Sequence, residues 1–176
     1  MNVRRKQTGE ALEKECLYSA NGNAGCGVQA PTESSGAAFN ENGGGIYATE
    51  WRSDGIRMWF FGRGTEPDDL ANTTNTAPDP SMWGEPTADF PNTHCDIGNH
   101  FRNASIIMNI ALCGDWAGAT SIYSGQGDCP STCHNFVANN ASAFEDAYWE
   151  IKSVRVFTAE ERIFVEVNAL TTTLAV

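Results

Sequence analysis

A chain of 176 residues can bury one sizeable hydrophobic core, and nothing in this one marks a boundary between two domains. Its 22 acidic and 11 basic residues give a net charge of −11 at pH 7, a field that repels phosphate backbones and argues against a nucleic-acid partner. The longest apolar run, Ile106 to Leu112, is too short for a membrane span and is broken by Asn109, so we expect a soluble protein.

The first fifteen residues differ from the rest of the chain. They are charged, and GEALEKE within them favours a helix, whereas the remainder is rich in Gly, Ser, Thr, Asn, Pro and aromatic residues, which predicts an all-β domain. No apolar signal core precedes Cys16. We therefore interpret residues 1–15 as foreign to the domain and expect that the natural N-terminus is missing.

Cysteines and glycosylation sequons indicate the secretory route. The sequons lie at Asn72, Asn103 and Asn140. The cysteines are Cys16, Cys26, Cys95, Cys113, Cys129 and Cys133. Metal binding is the alternative, because His94-Cys95 and Cys129-x-x-x-Cys133-His134 contain ligand types, but the paired C-x-x-C spacing of a zinc ribbon is absent. Disulfides are thus favoured, with no metal or other cofactor, and their pairing is left open.

The stretch YATEWRSDGIRMWFF predicts a β-hairpin that turns at Asp54-Gly55. Glu50 lies opposite Trp59 if the turn has two residues and opposite Arg57 if it has four, and both registers keep the same faces. The face that we expect to be the core face carries Tyr47, Thr49, Trp51, Ile56, Met58 and Phe60. The other face carries Ala48, Glu50, Arg52, Arg57, Trp59 and Phe61.

This second face has the chemistry of a sugar site. Aromatic rings pack on the apolar CH face of a pyranose, and carboxylate and guanidinium groups bind its hydroxyls. The alternative is an ordinary amphipathic sheet in which a loop covers Trp59.

Three further segments follow in chain order. The segment from Gly62 to His100 has five of the seven prolines and little periodicity, so we expect a long functional or surface-crossing loop. Ser105 to Leu112 is apolar throughout most of its length and predicts a strand covered on both faces. This strand leads into CGDWAG, which we expect to be a disulfide-fixed turn that presents Trp116 beside Asp115. AYWEIKSVRVF, near the end, alternates as a strand does.

Six blocks in order closely resemble the C-terminal half of fungal glycoside hydrolase family 16, the laminarinase-like endo-1,3(4)-β-glucanases. The blocks are NAGCGV, GAAFNENGGGIYATEWRSDGIRMWFF, DPSMWGEPTADFP, CDIGNHF, IIMNIALCGDWAG and YWEIKSVRVF. The resemblance implies a β-jelly-roll sandwich of the concanavalin A-like type, incomplete at its N-terminal side, with an open cleft for a β-1,3- or mixed-linkage glucan. It covers residues 16–157 and leaves residues 1–15 and 158–176 as an unmatched segment and an unmatched tail.

Such enzymes carry E-x-D-x-x-E, a nucleophile and a general acid/base with an Asp between them, and this motif is absent from the sequence. Glu10 and Glu15, and again Glu145 and Glu150, have the five-residue spacing, but Leu12 stands where the middle Asp belongs in the first pair and Asp146 is at the wrong offset in the second. We assign no catalytic residue.

Glu50 and Trp116 do match positions that line the glucan groove in the family, while Asp115 and Trp59 are weaker candidates beside them. The resemblance therefore predicts a β-glucanase fragment that is inactive alone. A non-catalytic β-glucan-binding protein is the alternative, and a product without a ligand is a third reading. We expect a secreted monomer.

Overall fold

The computed structural model describes residues 6–13, 15–17, 19–20, 25–75, 77–125, 127, 129–159 and 162–172. Strands dominate these ranges, and the helices are short, so the predicted all-β class is confirmed. In this part of the chain, no helix combines the length and the apolar character that crossing a membrane requires.

One five-stranded antiparallel sheet, in the order β5-β4-β3-β7-β6, organises the fold, and a two-stranded sheet pairs β1 with β2. The strands are β1 (Glu10–Ala11), β2 (Val28–Gln29), β3 (Gly45–Arg52), β4 (Gly55–Gly62), β5 (Ala88–Pro91), β6 (Trp149–Ala159) and β7 (Arg162–Thr172). The α-helices are α1 (Gly36–Glu41), α2 (Asp68–Ala71), α3 (Ile97–His100), α4 (Gly114–Ala117), α5 (Thr120–Tyr123) and α6 (Cys133–Asn139). Short 3-10 helices cover Thr32–Ser34, Pro80–Met82, Asn92–His94 and Ala141–Phe144.

The predicted hairpin is β3 and β4, with Glu50 paired to Arg57. The turn, however, consists of Ser53 and Asp54, one residue earlier than expected, because Gly55 already belongs to β4 and pairs with Arg52. A Cβ on Gly55 would lie 2.9 Å from the carbonyl oxygen of Phe90 in β5. Glycine is therefore needed here for the close approach of the neighbouring strand rather than for the turn.

The prediction of which face of the hairpin is buried is wrong. The buried cluster lies on the opposite face, where Ile46, Ala48 and Trp59 pack with Leu70 and Trp83. Leu70 and Trp83 come from the segment between β4 and β5, and this segment covers the face that carries Glu50.

The face expected to be buried is covered only in part. Phe39 of α1 packs on Tyr47 and Phe60 at one end, with ring centroids 5.7 and 6.1 Å apart. Farther along, Met58 is 43% exposed and Val156 of β6 is 54% exposed. Burial, unlike alternation, depends on which segments pack above the sheet.

The N-terminal segment does not form the predicted helix. Glu10 and Ala11 instead pair with β2, and the backbone N–H groups of Thr8 and Gly9 donate to the carbonyls of Pro86 and Thr87. Tertiary hydrogen bonds thus override a weak local helix propensity. This part of the chain therefore lies against the residues that precede β5.

The apolar run Ser105–Leu112 is not a strand covered on both faces. It has no regular secondary structure, and Ile106, Ile107 and Leu112 are 48, 77 and 52% exposed. No strand of the described residues pairs with it, and a strand needs such a partner for its backbone groups. Within the segment predicted as one long loop, by contrast, β5 forms and pairs with β4.

β7 follows the last block of the resemblance and lies between β3 and β6. Its Glu166 is fully buried and accepts a hydrogen bond from Nε of Arg155 on β6 at 2.6 Å. Arg155 Nη2 also donates to the carbonyl oxygen of Leu70 at 2.7 Å. This buried pair therefore ties α2, and with it the segment that covers the Glu50 face, to the sheet.

We predict that Gly55→Ala lowers the free energy of unfolding by about 1–3 kcal/mol, because the new methyl group would overlap backbone atoms of β5. Gly98→Ala in α3 is the control, since its Cβ would meet only Asp96 Oδ1 at 3.7 Å and alanine favours helix by about 1 kcal/mol. Urea denaturation of both variants measures the difference. Equal stabilities would contradict the close approach of β5 to Gly55.

The second prediction concerns Glu166, whose pKa is raised above its ordinary value of 4.5 by burial, an effect that Arg155 only partly offsets. A raised folded-state pKa stabilises the protein fully below the unfolded pKa, and this contribution is lost as the pH rises through the folded-state pKa. The difference in unfolding free energy between wild type and Glu166→Gln should therefore fall as the pH rises above about 4.5.

Denaturation across this pH range measures that difference, with Glu13→Gln as the control at an exposed carboxylate. A difference that grows with pH for Glu166→Gln would show that ion pairing with Arg155 outweighs burial.

Candidate functional site

An open groove of about 540 Å³ lies on the Glu50 face of the sheet. Its floor comes from β3, β4 and β5, and one wall comes from the segment before β5. Lys6 of the N-terminal segment also lines it, beside Asp89. The residues that line it are Lys6, Glu50, Arg52, Asp54, Arg57, Trp59, Asp79, Pro80, Ser81, Gly84, Glu85, Pro86 and Asp89. Its volume is in the range of small-molecule sites.

A row of alternating charges crosses the floor of the groove. The strand register pairs Arg57 with Glu50 on one side and with Asp89 on the other. Arg57 Nη1 lies 3.2 Å from Glu50 Oε2, and Arg57 Nε lies 3.6 Å from Asp89 Oδ1. Arg57 also donates to Asp54 at the turn, with Nη2 2.9 Å from Oδ2.

The contact between Arg57 and Asp54 favours the ionised form of both side chains. The hydrogen bond from Arg57 lowers the pKa of the Asp54 carboxyl, and the same bond is the main reason that the pKa of Arg57 is raised. Arg57 therefore remains a cation, and its planar fork of N–H groups is held in one orientation by carboxylates on both sides.

Glu50 lies at the bottom of the groove and is 4% exposed. Its two carboxylate oxygens face two guanidinium groups, since Oε1 is 3.5 Å from Arg52 Nη1 and Oε2 is bound by Arg57. The Arg52 side chain is 43% exposed at the rim. Glu50 thus forms ion pairs with the two arginines, and the arginines present N–H donors to the groove.

Trp59 forms part of the floor but is only 5% exposed. Its indole N–H donates to the carbonyl oxygen of Gly84 at 3.3 Å, and its ring meets Trp83 edge to face, with centroids 5.3 Å apart. A loop therefore covers this ring, as in the alternative interpretation of the hairpin. The ring therefore offers little open surface to a ligand.

The wall of the groove is held in place by Asp69 of α2. Its carboxylate accepts from the indole N–H of Trp83 at 2.9 Å and from the backbone N–H of Asp79 at 2.7 Å. Arg155, which is bound by Glu166, anchors α2 by donating to the carbonyl oxygen of Leu70. The position of the wall consequently depends on a continuous series of hydrogen bonds that begins on β7.

Asp115 and Trp116 lie on α4 and are not among the residues that line the groove. The turn before α4 is fixed by the Cys113–Cys133 disulfide, and Cys113 and Gly114 both have positive φ, at 62° and 79°. Trp116 is 75% exposed. The helix thus presents an open indole, and the roles of Asp115 and Trp116 in binding remain predictions.

Disulfides account for four cysteines, with Cys16 bonded to Cys26 and Cys113 to Cys133, while Cys95 and Cys129 are free thiols. Because Cys133 is oxidised, the Cys129-x-x-x-Cys133-His134 set cannot supply two thiolates to a metal. No group of three or more His, Cys, Asp or Glu side chains suited to a metal occurs among the described residues.

The carboxylate pairs with five-residue spacing lie outside the groove lining, and all their members are exposed: Glu10, Glu15, Glu145 and Glu150. The main residues of the groove that sequence reasoning did not select are Arg57 and Asp89. The cross-strand register would have indicated Arg57, which was already predicted to share a face with Glu50. Asp89 gave no such signal, because it lies in a segment expected to be a loop.

Similarity to known proteins identifies the family. The profile of the XgeA-like catalytic domain of glycoside hydrolase family 16 matches residues 1–157. A probable glycosidase of Schizosaccharomyces pombe is 48% identical over 159 residues, which are 89% of this chain and 37% of that protein. An endo-1,3(4)-β-glucanase of Arthroderma benhamiae is 41% identical over 158 residues, which are 85% of this chain and 34% of that protein.

Among solved structures, laminarinase 16A from Phanerochaete chrysosporium, with β-glucans in its donor and acceptor sites, is 43% identical and superimposes with a TM-score of 0.74. The match covers 96% of this chain and 53% of that one. An elongating family 16 β-1,3-glucosyltransferase is 34% identical with a TM-score of 0.66, over 93% of this chain and 51% of that one. The chain thus spans about half of these structures and about a third of the two sequence relatives. It belongs to the XgeA-like branch of glycoside hydrolase family 16 and has the jelly-roll fold class of the laminarinases.

Proposed function

We propose that this chain forms one part of a β-glucan-binding groove and holds a β-1,3- or mixed-linkage glucan without hydrolysing it alone. The observation that carries the proposal is the charged row of Glu50, Arg57 and Asp89 on the floor of an open groove. The relationship to a laminarinase solved with β-glucans supports the choice of ligand.

The chemistry of the groove suits a neutral polyhydroxylated ligand. Guanidinium N–H groups of Arg52 and Arg57 donate to hydroxyl oxygens, and carboxylates accept from hydroxyl protons. The predicted contribution of Trp116 is a stacking surface, since its indole is open whereas that of Trp59 is covered. We propose Glu50 as the residue that orients the two arginines, and Asp115 as a hydrogen-bonding neighbour of Trp116.

Hydrolysis with retention needs two carboxyl groups about 5 Å apart that flank the scissile bond, one as nucleophile and one as acid/base. The sequence lacks E-x-D-x-x-E, and the carboxylates of the floor are engaged by arginines. An enzyme part and a dedicated β-glucan-binding protein would share this groove. The affinity for glucan distinguishes these two alternatives. Part of a groove should bind with a dissociation constant of about 1 mM, whereas a dedicated binding module should bind far more tightly.

We further propose that the protein is secreted as a monomer. The Cys16–Cys26 and Cys113–Cys133 disulfides support an oxidising compartment. The sequons at Asn72, Asn103 and Asn140 all lie on exposed residues, where a glycan can be accommodated.

We predict that the isolated chain releases no reducing sugar from laminarin or lichenan above a heat-denatured control. The reason is that the sequence lacks the E-x-D-x-x-E motif, which supplies the nucleophile and the acid/base of the family. Release that is abolished by Glu10→Gln or Glu15→Gln would overturn this part of the proposal.

We predict that the chain binds laminari-oligosaccharides with a dissociation constant of about 1 mM, and that Trp116→Ala removes most of this affinity by deleting the open indole. The fluorescence of the remaining tryptophans during titration measures the binding. Ile107→Ala is the matched control, because Ile107 is 77% and Trp116 75% exposed. Tight binding that is unaffected by Trp116→Ala would contradict the proposed ligand surface.

A further inference from the structure

Asp89 is the charged group of the groove floor whose hydrogen bonding is incomplete. It lies on β5, is 9% exposed, and lines the groove. Its Oδ1 atom is buried and has no hydrogen-bond donor within the described part of the chain. Arg57 Nε, at 3.6 Å, attracts this oxygen electrostatically but is too distant for a hydrogen bond.

The remaining polar groups of Asp89 are engaged from the other side. Its backbone N–H donates to Gln7 Oε1 at 3.2 Å, and the backbone N–H of Lys6 donates to Oδ2 at 3.4 Å. The N-terminal segment thus holds the carboxylate in place, while Oδ1 is left without a donor. A buried carboxylate oxygen without a donor destabilises a fold, so its presence in a groove calls for a functional reason.

We propose that Asp89 is a specificity-determining residue whose Oδ1 accepts a hydrogen bond from one hydroxyl group of a glucose unit bound in the groove. This inference rests on the glucan-binding function proposed above. A hydroxyl group suits the position because it can donate its proton to Asp89 and accept a hydrogen bond from Arg57, which is the neighbouring cation. A carboxylate or phosphate ligand would instead be repelled by Asp89.

The contact also explains why Asp89 and Glu50 differ, although both flank Arg57. Glu50 has a guanidinium group against each oxygen, whereas Asp89 has an ion-pair contact to Oδ1 that is too long for a hydrogen bond. Glu50 is therefore held between two arginines, with a hydrogen bond from Arg57, before a ligand arrives, whereas Asp89 Oδ1 gains a hydrogen-bond donor when a ligand binds. Asp89 is in this respect a binding residue and Glu50 a positioning residue.

The first test is titration of isotope-labelled wild type and Asp89→Asn with laminaritriose, followed by NMR chemical shifts, which measure millimolar affinities. Because the substitution keeps the shape and removes the charge, affinity should fall about tenfold while the melting temperature stays the same or rises. Asp146→Asn, at an exposed carboxylate outside the groove, is the control and should bind as wild type does.

The second test uses laminaritrioses that each lack one hydroxyl group, so that a direct contact is separated from a general effect on the fold. One of these ligands should bind wild type and Asp89→Asn equally, because the hydroxyl group that Asp89 accepts from is already missing. If all of them remain sensitive to Asp89→Asn, or if laminaritriose binds both proteins equally, the inference is wrong and the proposed function stands. If wild type binds no glucan at all, the proposed function fails, and this inference fails with it.

Discussion

The groove depends on the ion pairs that the guanidinium group of Arg57 forms with the carboxylates around it. This guanidinium group lies in the middle of a cross-strand row and contacts carboxylates on the strands to either side, as well as Asp54 at the turn of the hairpin. Because the three strands are in register at this row, their backbone pairing places the charged groups in line without any loop. A sheet is a rigid support of this kind, and it keeps donors and acceptors oriented for a ligand that has many weak hydroxyl contacts.

Arg57 could not produce a groove without the segment that leads from β4 to β5. Asp69 binds the indole of Trp83, and Trp83 covers Trp59 and so closes one side of the sheet face. This wall in turn depends on Glu166 and Arg155, which anchor α2. Glu166 lies beyond the part of the chain that matches the family profile, yet it supports a wall within that part.

Much of the fold follows from sequence, and the failures have identifiable physical causes. The alternation in the hairpin and in β6 gave the strands, their faces and the residues that share a face with Glu50. Alternation could not say which face is buried, because that depends on where Leu70 and Trp83 pack. GEALEKE was misassigned as a helix since its backbone groups bind β2 and the segment around Thr87, contacts that no local propensity encodes.

The residues of the candidate site likewise differ in whether the sequence alone could identify them. Glu50 could be selected from the pattern of the hairpin and from the family resemblance, whereas Asp89 could not, because it lies in a proline-rich segment without periodicity. Asp89 is distinguished by its register and by an oxygen without a hydrogen-bond donor among the described residues, which are properties of the folded chain. Trp59 illustrates the opposite case, since an indole that is prominent in the sequence is mostly covered in the fold.

The most direct test of the account is to ask which face of the sheet meets the sugar. Titration of the labelled chain with laminari-oligosaccharides can follow the Nε–H of Arg57 and the indole N–H of Trp59 on the groove face, and the methyl group of Met58, which is exposed on the opposite face. The account predicts saturable shifts of the Arg57 and Trp59 signals with an unchanged Met58 signal. Shifts of the Met58 methyl group with unchanged Arg57 and Trp59 signals would contradict it.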